Sequence, residues 1–263
     1  MKSNALKQTW RDGKATLNGW LHIPSTWSTE VMAHAGFDSL TVDMQHGMMG
    51  LESAIHMLQA ISTTETVALA RVDWNEPGAI MRLLDAGAMG IICPMINSRA
   101  ECEQFVSACR YHPDGIRSLG PTRAKVVYGD DYARHANEEV VTLAMIETRE
   151  ALDHVEEIAA VKGLDGFYIG PGDLRLSLMG TGGMDNEDEE FLAALDTILA
   201  AAKRHGIITG IHCNSVSYAQ KMIARGLQMV TLQTDSALLS GAAISTVNGT
   251  RGVQTQTRRT DAY

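Results

Sequence analysis

The chain has 263 residues, 45% hydrophobic and 20% charged, a balance that suits one large globular domain. Its formal net charge of −9 argues against a nucleic-acid or acidic-membrane partner, because phosphate binding needs a basic surface that releases counterions. The N-terminus lacks the apolar core of a signal peptide, and no run approaches the roughly 18 apolar residues of a membrane span, so a cytoplasmic protein is expected.

Short β-rich runs alternate with helical patterns along the whole chain. The runs are residues 17–23, 39–43, 67–71, 90–94, 140–146, 166–170, 207–211 and 229–233. Helical spacing follows them, most clearly at 77–86, 99–109, 151–161, 187–205 and 215–225. Eight β-then-α units with buried-looking strands predict an all-parallel sheet wrapped by helices. At this length they favour a closed (β/α)8 TIM barrel, a single α/β domain spanning residues 1–248. An open doubly wound sheet is the alternative. It would want a glycine-rich loop after its first strand, where this chain has PSTWSTE, and no GxGxxG or Walker sequence is present.

Two stretches break the rhythm. Residues 111–137 form a link too long for a routine loop, which points to a functional segment or to packing on a neighbour. The tail, 249–263, is polar and without apolar period, and either frays or docks on a partner subunit. The four cysteines, Cys93, Cys102, Cys109 and Cys213, make no CxxC pair and read as buried or incidental thiols.

In a parallel barrel the C-terminal strand ends share one mouth, where the active site is built. Asp43 and His46 fall there after the second run, Arg71 ends the third, Glu147 follows the fifth and Asp173 follows the sixth. Glu147 and Asp173 come from adjacent strand ends and would repel each other without a cation between them. An all-oxygen pair suits Mg²⁺ or Mn²⁺ better than Zn²⁺. Taken singly, Glu147 also reads as an N-terminal helix charge and Asp173 as a cap. Arg71 suits a substrate carboxylate or developing enolate charge, or a salt bridge to Asp73 or Glu76. Asp43 lies close enough in sequence to orient the His46 imidazole for acid–base work. His212, at a strand end in ITGIHCNS, is a further candidate; the remaining histidines, His22 among them, read as structural. Gly170-Pro171-Gly172 would open the backbone so that its N–H groups meet a bound anion.

The segments FDSLTVDMQHG, ALARVDWNEPGAIMRLLDAGAMGIICPMINSRAE, YHPDGIRSLGPTRA, AMIETREAL and GLDGFYIGPGDLRLSL resemble the HpcH/HpaI aldolases, metal-dependent (class II) pyruvate-type enzymes. They cover most of residues 19–179 in the family's order, closest to the hydroxy-ketoacid aldolase branch. The resemblance implies Glu147 and Asp173 as ligands of a divalent ion (Mg²⁺, Mn²⁺ or Co²⁺). Arg71 would bind the oxo acid, and His46, supported by Asp43, would relay protons. Backbone N–H groups of Gly172 and Asp173 would take the substrate carboxylate. The implied reaction is reversible aldol addition between a 2-oxo acid (pyruvate or hydroxypyruvate) and an aldehyde through an enolate held at the metal. Oxaloacetate decarboxylation and cleavage of coenzyme-A thioesters are the alternatives on the same scaffold, and a catalytically dead barrel serving as a scaffold is a third. No strand-end lysine offers a Schiff base, since Lys125 and Lys162 occupy loop and helix-end settings. Met145 stands where many members carry glutamine, which leaves donor preference open. The family's hexamers of helix-swapped dimers imply a homo-oligomer, in which 111–137 would complete a neighbour's site and Arg117 and Arg123 would reach the acceptor aldehyde.

Overall fold

The computed structural model describes residues 1–252. Its strands are β1 (Thr16–Leu21), β2 (Ser39–Asp43), β3 (Val67–Arg71), β4 (Gly90–Cys93), β5 (Val141–Ile146), β6 (Gly166–Ile169), β7 (Ile208–Cys213) and β8 (Met229–Thr234). They pair in parallel, each with its sequence neighbour, and β8 closes on β1. The expected eightfold barrel is therefore present, and the open sheet is excluded. Nearly every strand residue is buried, because side chains fill the barrel on one face and helices cover the other. Parallel register sets pairs of side chains level with each other: Asp43 beside Arg71, Met145 beside Tyr168, His212 beside Thr231.

The helices are α1 (Ala5–Arg11), α2 (Thr26–Ala33), α3 (Leu51–Ile61), α4 (Pro77–Asp85), α5 (Arg99–Cys109), α6 (Thr122–Tyr128), α7 (Tyr132–Glu139), α8 (Arg149–Asp153), α9 (Val155–Ala159), α10 (Pro171–Met179), α11 (Glu189–His205), α12 (Val216–Arg225) and α13 (Asp235–Thr250). Local chemistry explains their ends. Ser98 and Glu101 form a reciprocal capping box that starts α5. Glu189 and Glu190 open α11 while Lys203, Arg204 and His205 close it, each sign matched to the helix dipole. Gly206 then ends that helix at φ 67°, a left-handed turn that a side chain resists.

Three expectations change, and one element is added. The single helix over 151–161 is two short ones meeting at His154, whose Nδ1 lies 3.0 Å from the Asn97 carbonyl oxygen. The 111–137 link is not a loop throughout, since it contains α6 and most of α7. Arg117 fastens it, donating to Asp85 Oδ1 at 2.8 Å and to the Tyr132 hydroxyl at 3.1 Å while lying 4.4 Å from the Tyr111 ring centroid. Before the first strand, α1 crosses the N-terminal end of the barrel. There Asn4 Nδ2 donates to the carbonyls of Met89 and Glu139, and Trp10 Nε1 donates to Thr16 Oγ1. Finally, α13 runs two residues past the expected limit at 248. Residues 253–263, the rest of the expected tail, lie outside the described residues.

All four cysteines are free and buried. Among the described residues no helix is long and apolar enough to cross a membrane.

Candidate active site

The C-terminal mouth is organised around Asp43, the last residue of β2, which is fully buried. Its level neighbour Arg71, 3% exposed, donates from Nε to Oδ1 at 2.8 Å and from Nη2 to Oδ2 at 2.7 Å. Two parallel bonds of this kind are the strong, orientation-fixing form of an arginine–carboxylate contact. Trp20 on β1 donates its indole N–H to Oδ2 at 3.1 Å and lies 4.9 Å below the Arg71 guanidinium. The main-chain N–H groups of Gln45 and His46 complete Oδ1. Burial alone would raise the Asp43 pKa, but hydrogen bonds from His22 and Arg71, the Arg71 charge and the Trp20 bond hold it far below the usual carboxylate range.

Glu147 follows β5 and is 2% exposed. Its Oε1 accepts the Met95 N–H at 2.8 Å. A Cβ on Gly170 would fall 2.3 Å from Glu147 Oε2 and 3.0 Å from Met145 Cε, so glycine leaves room there for the carboxylate. Burial pushes the Glu147 carboxyl up to about 7, helped by the nearby Asp173 charge and opposed by the Met95 N–H and Arg71. Asp173 stands in the first turn of α10, whose N-terminus has no side-chain cap. The two carboxylates stand at the β5 and β6 strand ends, near enough for the Asp173 charge to add to the rise at Glu147. Among the described residues no group of three or more His, Cys, Asp and Glu forms a metal cluster. Two hard oxygen donors, one disfavoured by burial as a bare anion, fit a divalent cation.

His46 stands on the loop after β2, with its pKa lowered by partial burial and by Arg71 against the pull of Asp43 and Asp173. The shift favours the neutral ring, the form a general base requires. The Asp43–His46 pairing differs from expectation in one respect. Asp43 meets the His46 main chain, while the imidazole recorded on its carboxylate is His22, with Nε2 at 2.8 Å from Oδ2. The apolar run 17–23 extends two residues past the end of β1 and so gives no sign that His22 stands at the mouth.

The two side chains offered for acceptor contacts, His212 and Arg123, both have partners within their own barrel. His212 is 8% exposed, packed edge-on against Trp20 with ring centroids 5.3 Å apart. Burial, then the charges of Arg71 and His22, push it down to about 3, so it is a neutral member of the barrel interior. Arg123 donates to the Ala86 carbonyl and to Ser62 Oγ at the C-terminal ends of α4 and α3, the opposite end of the barrel from the mouth. The Arg117 guanidinium is likewise held by Asp85 and Tyr132. Trp20 and Tyr168 were missed. Their rings stack 5.4 Å apart inside the barrel, and the Tyr168 hydroxyl donates to Thr231 Oγ1 at 2.7 Å. An aromatic within an apolar strand carries no signal that separates packing from site support.

A parallel eightfold barrel with two carboxylates, an anchored arginine and an imidazole at its C-terminal mouth has the makings of an enzyme that holds a small anionic substrate beside a cation. The chain belongs to the HpcH/HpaI aldolase/citrate lyase family, whose profile matches residues 19–242. It is 41% identical over 250 residues to a hydroxypyruvate/pyruvate aldolase of Rhizorhabdus wittichii, covering 95% of this chain and 100% of that one. It is 33% identical over 243 residues to a 4-hydroxy-2-oxo-heptane-1,7-dioate aldolase of Escherichia coli, covering 91% and 92%. A crystal structure of an HpcH/HpaI aldolase/citrate lyase family protein from Burkholderia cenocepacia superposes with a TM-score of 0.88 at 30% identity, covering 95% and 100%. The protein is thus a metal-dependent aldolase, a carbon–carbon lyase.

Three outcomes follow from Glu147. Gly170→Ala should displace its carboxylate and weaken Mn²⁺ binding at least about tenfold, measured by electron paramagnetic resonance titration, with circular dichroism unchanged. Because a proton competes with the cation on a group titrating near 7, Mn²⁺ affinity should rise with pH up to about 7 and level off above it. The sign also holds for stability. The folded, metal-free protein binds the extra proton between 4.5 and about 7, so this group costs stability as pH rises through that window. Glu147→Gln should flatten both dependences; unchanged slopes would count against the assignment.

Proposed function

We propose that the enzyme catalyses reversible aldol addition and cleavage between a 2-oxo acid, pyruvate or hydroxypyruvate, and an aldehyde. The observation that carries this reading is a buried Glu147 that feels the charges of both Asp173 and a doubly anchored Arg71. The name of the R. wittichii relative supports the donor choice. Glu147 and Asp173 would hold a Mg²⁺ or Mn²⁺ ion, which when bound supplies Lewis acidity to the oxo-acid carbonyl.

The chain's own groups account for the rest. Main-chain N–H groups of Gly172 and Asp173, at the uncapped N-terminus of α10, take the substrate carboxylate. Arg71 commits Nε and Nη2 to Asp43 and keeps its other donors for negative charge developing on the substrate oxygen. Neutral His46 accepts the C3 proton first; the carbon so freed then attacks the aldehyde, and the proton passes to the former aldehyde oxygen. Cleavage runs the same path backwards, with no net proton change. Met145, buried beside Glu147, offers no hydrogen bond to a donor hydroxyl where a glutamine would, which leaves the smaller pyruvate as well served as hydroxypyruvate.

The decisive experiment follows exchange of the C3 protons of pyruvate in D₂O by nuclear magnetic resonance, together with an aldehyde screen under Mg²⁺, Mn²⁺ and Co²⁺. Exchange should vanish with a chelator, survive borohydride plus pyruvate, and fall at least about 10³-fold in Glu147→Gln. Survival under chelation with loss to borohydride would overturn the metal mechanism in favour of a Schiff base.

The same reading includes a homo-oligomer built by exchange of α13. Of that helix only Asp235 is buried, and Leu238, Leu239, Ile244 and Val247 are exposed along it. A 16-residue helix with so little packing on its own barrel is not stable by propensity alone. On α2, beside β1, Trp27 and Val31 are exposed by 70% and 54%, an apolar face open to the helix of a second copy. Ile116, Leu119 and Val126, exposed on the 111–137 segment, offer a further contact between copies. Sedimentation should show an assembly well above 28.5 kDa that Leu239→Glu with Ile244→Glu breaks down. A wild-type monomer would sink this part of the reading.

A further inference from the structure

Beyond Arg71 and the Trp20 indole, the Asp43 carboxylate has one more side-chain partner, and its contact serves no need of charge. Arg71 already neutralises it through two bonds. His22 nevertheless places Nε2 at 2.8 Å from Oδ2, the oxygen that also takes Arg71 Nη2 and the Trp20 indole. Asp43 is ionised, so the shared proton resides on His22 Nε2, which donates.

The backbone of His22 is pinned as firmly as its ring. Asp235, the first residue of α13, accepts the His22 N–H at 2.8 Å through Oδ1 and the Ile23 N–H at 3.2 Å through Oδ2. The His22 carbonyl accepts the Met48 N–H at 3.2 Å. The first residue after β1 is thus fixed by the start of α13 on one side and the loop after β2 on the other. Ordering a side chain in this way opposes its rotamer entropy, so its contact with Asp43 has a fixed direction.

That direction matters because the torsion that turns an aspartate carboxylate is broad and soft. Arg71 pulls on Asp43 from β3, and His22 and Trp20 pull on Oδ2 from the β1 side. The opposed bonds hold the carboxylate in the plane where both Arg71 bonds are short. They thereby set where the remaining Arg71 donors point. We infer that His22 is a positioning residue that acts through Asp43 to aim the Arg71 guanidinium at the bound oxo acid, an inference that rests on the aldolase reading above.

The test compares wild type, His22→Leu and His22→Gln in the full-length enzyme with saturating Mg²⁺. C3-proton exchange of pyruvate gives kcat and KM, and thermal melting monitors folding. His22→Leu removes the donor and should raise KM for pyruvate about tenfold and lower exchange kcat about tenfold, with a melting point within a few degrees of wild type. His22→Gln keeps an N–H within reach of Asp43 and should recover most of the lost kcat/KM. His22→Leu that matches wild type within twofold, or His22→Gln as impaired as His22→Leu, overturns the inference while leaving the aldolase reading intact. A wild type that exchanges no protons overturns the aldolase reading itself. If His22→Leu does not fold, His22→Phe takes its place, and failure of both to fold shows a folding role and overturns the positioning role.

Discussion

The buried ion pair between Asp43 and Arg71 is the interaction on which the mouth of this barrel depends. Both groups are almost wholly out of water, so each would be costly alone, and leaving either unpaired costs about 3–5 kcal/mol in comparable settings. Parallel register supplies the solution by setting the two residues level on adjacent strands. Trp20 then ties the pair to β1, and by stacking on Tyr168 and meeting His212 edge-on it ties β1 across to β6 and β7. Tyr168 reaches Thr231 on β8, and Asn18 bonds both that threonine and Thr41 on β2. The polar contacts inside the barrel thus form a connected network, which makes it both a support and a constraint.

Three carboxylates share the mouth, and their surroundings separate two of them. Asp43 has five donating residues around it, and they hold it far below the usual carboxylate range. Glu147 has one main-chain donor, an apolar methionine beside it and a second carboxylate nearby, and its ionised form is disfavoured. The first arrangement holds an arginine in place; the second leaves a demand for positive charge that the fold does not itself meet. Environments that push like groups apart are how one scaffold assigns them different tasks. His46 belongs to the same division, since the Arg71 charge that Asp43 holds nearby helps to keep the imidazole neutral.

At the far end from the chemistry, arginines do structural work that a motif does not distinguish from binding. Arg117 and Arg123 both lie in a segment suited to a neighbour's site, yet one is clamped between tyrosine rings and Asp85 and the other satisfies carbonyl and hydroxyl oxygens at helix ends. Unpaired carbonyls at a helix C-terminus are a strong local claim on a guanidinium. At the start of α13 the opposite connection holds: Asp235 begins a helix that leaves its own barrel and also grips the loop carrying His22.

The sequence by itself determined the eight strands within two residues, the closed parallel barrel, and the positions of Glu147, Asp173, Arg71 and His46 at strand ends. These follow from local periodicity, because a buried strand is a continuous apolar run and a polar residue that ends it has few places to go. Only the tertiary structure decided which groups pair. Asp43 takes the ring of His22 and the main chain of His46, a choice made by β1 lying beside β2 and by Asp235 arriving from the last helix. His212 turns inward, and Arg123 turns to the other end. The raised Glu147 carboxyl depends on burial and on Asp173 across a strand boundary, neither of which a linear chain expresses. The carboxylate pair was thus legible as a position, while the arginine beside it was aimed by contacts between residues far apart in sequence, and these exist only once the barrel has closed.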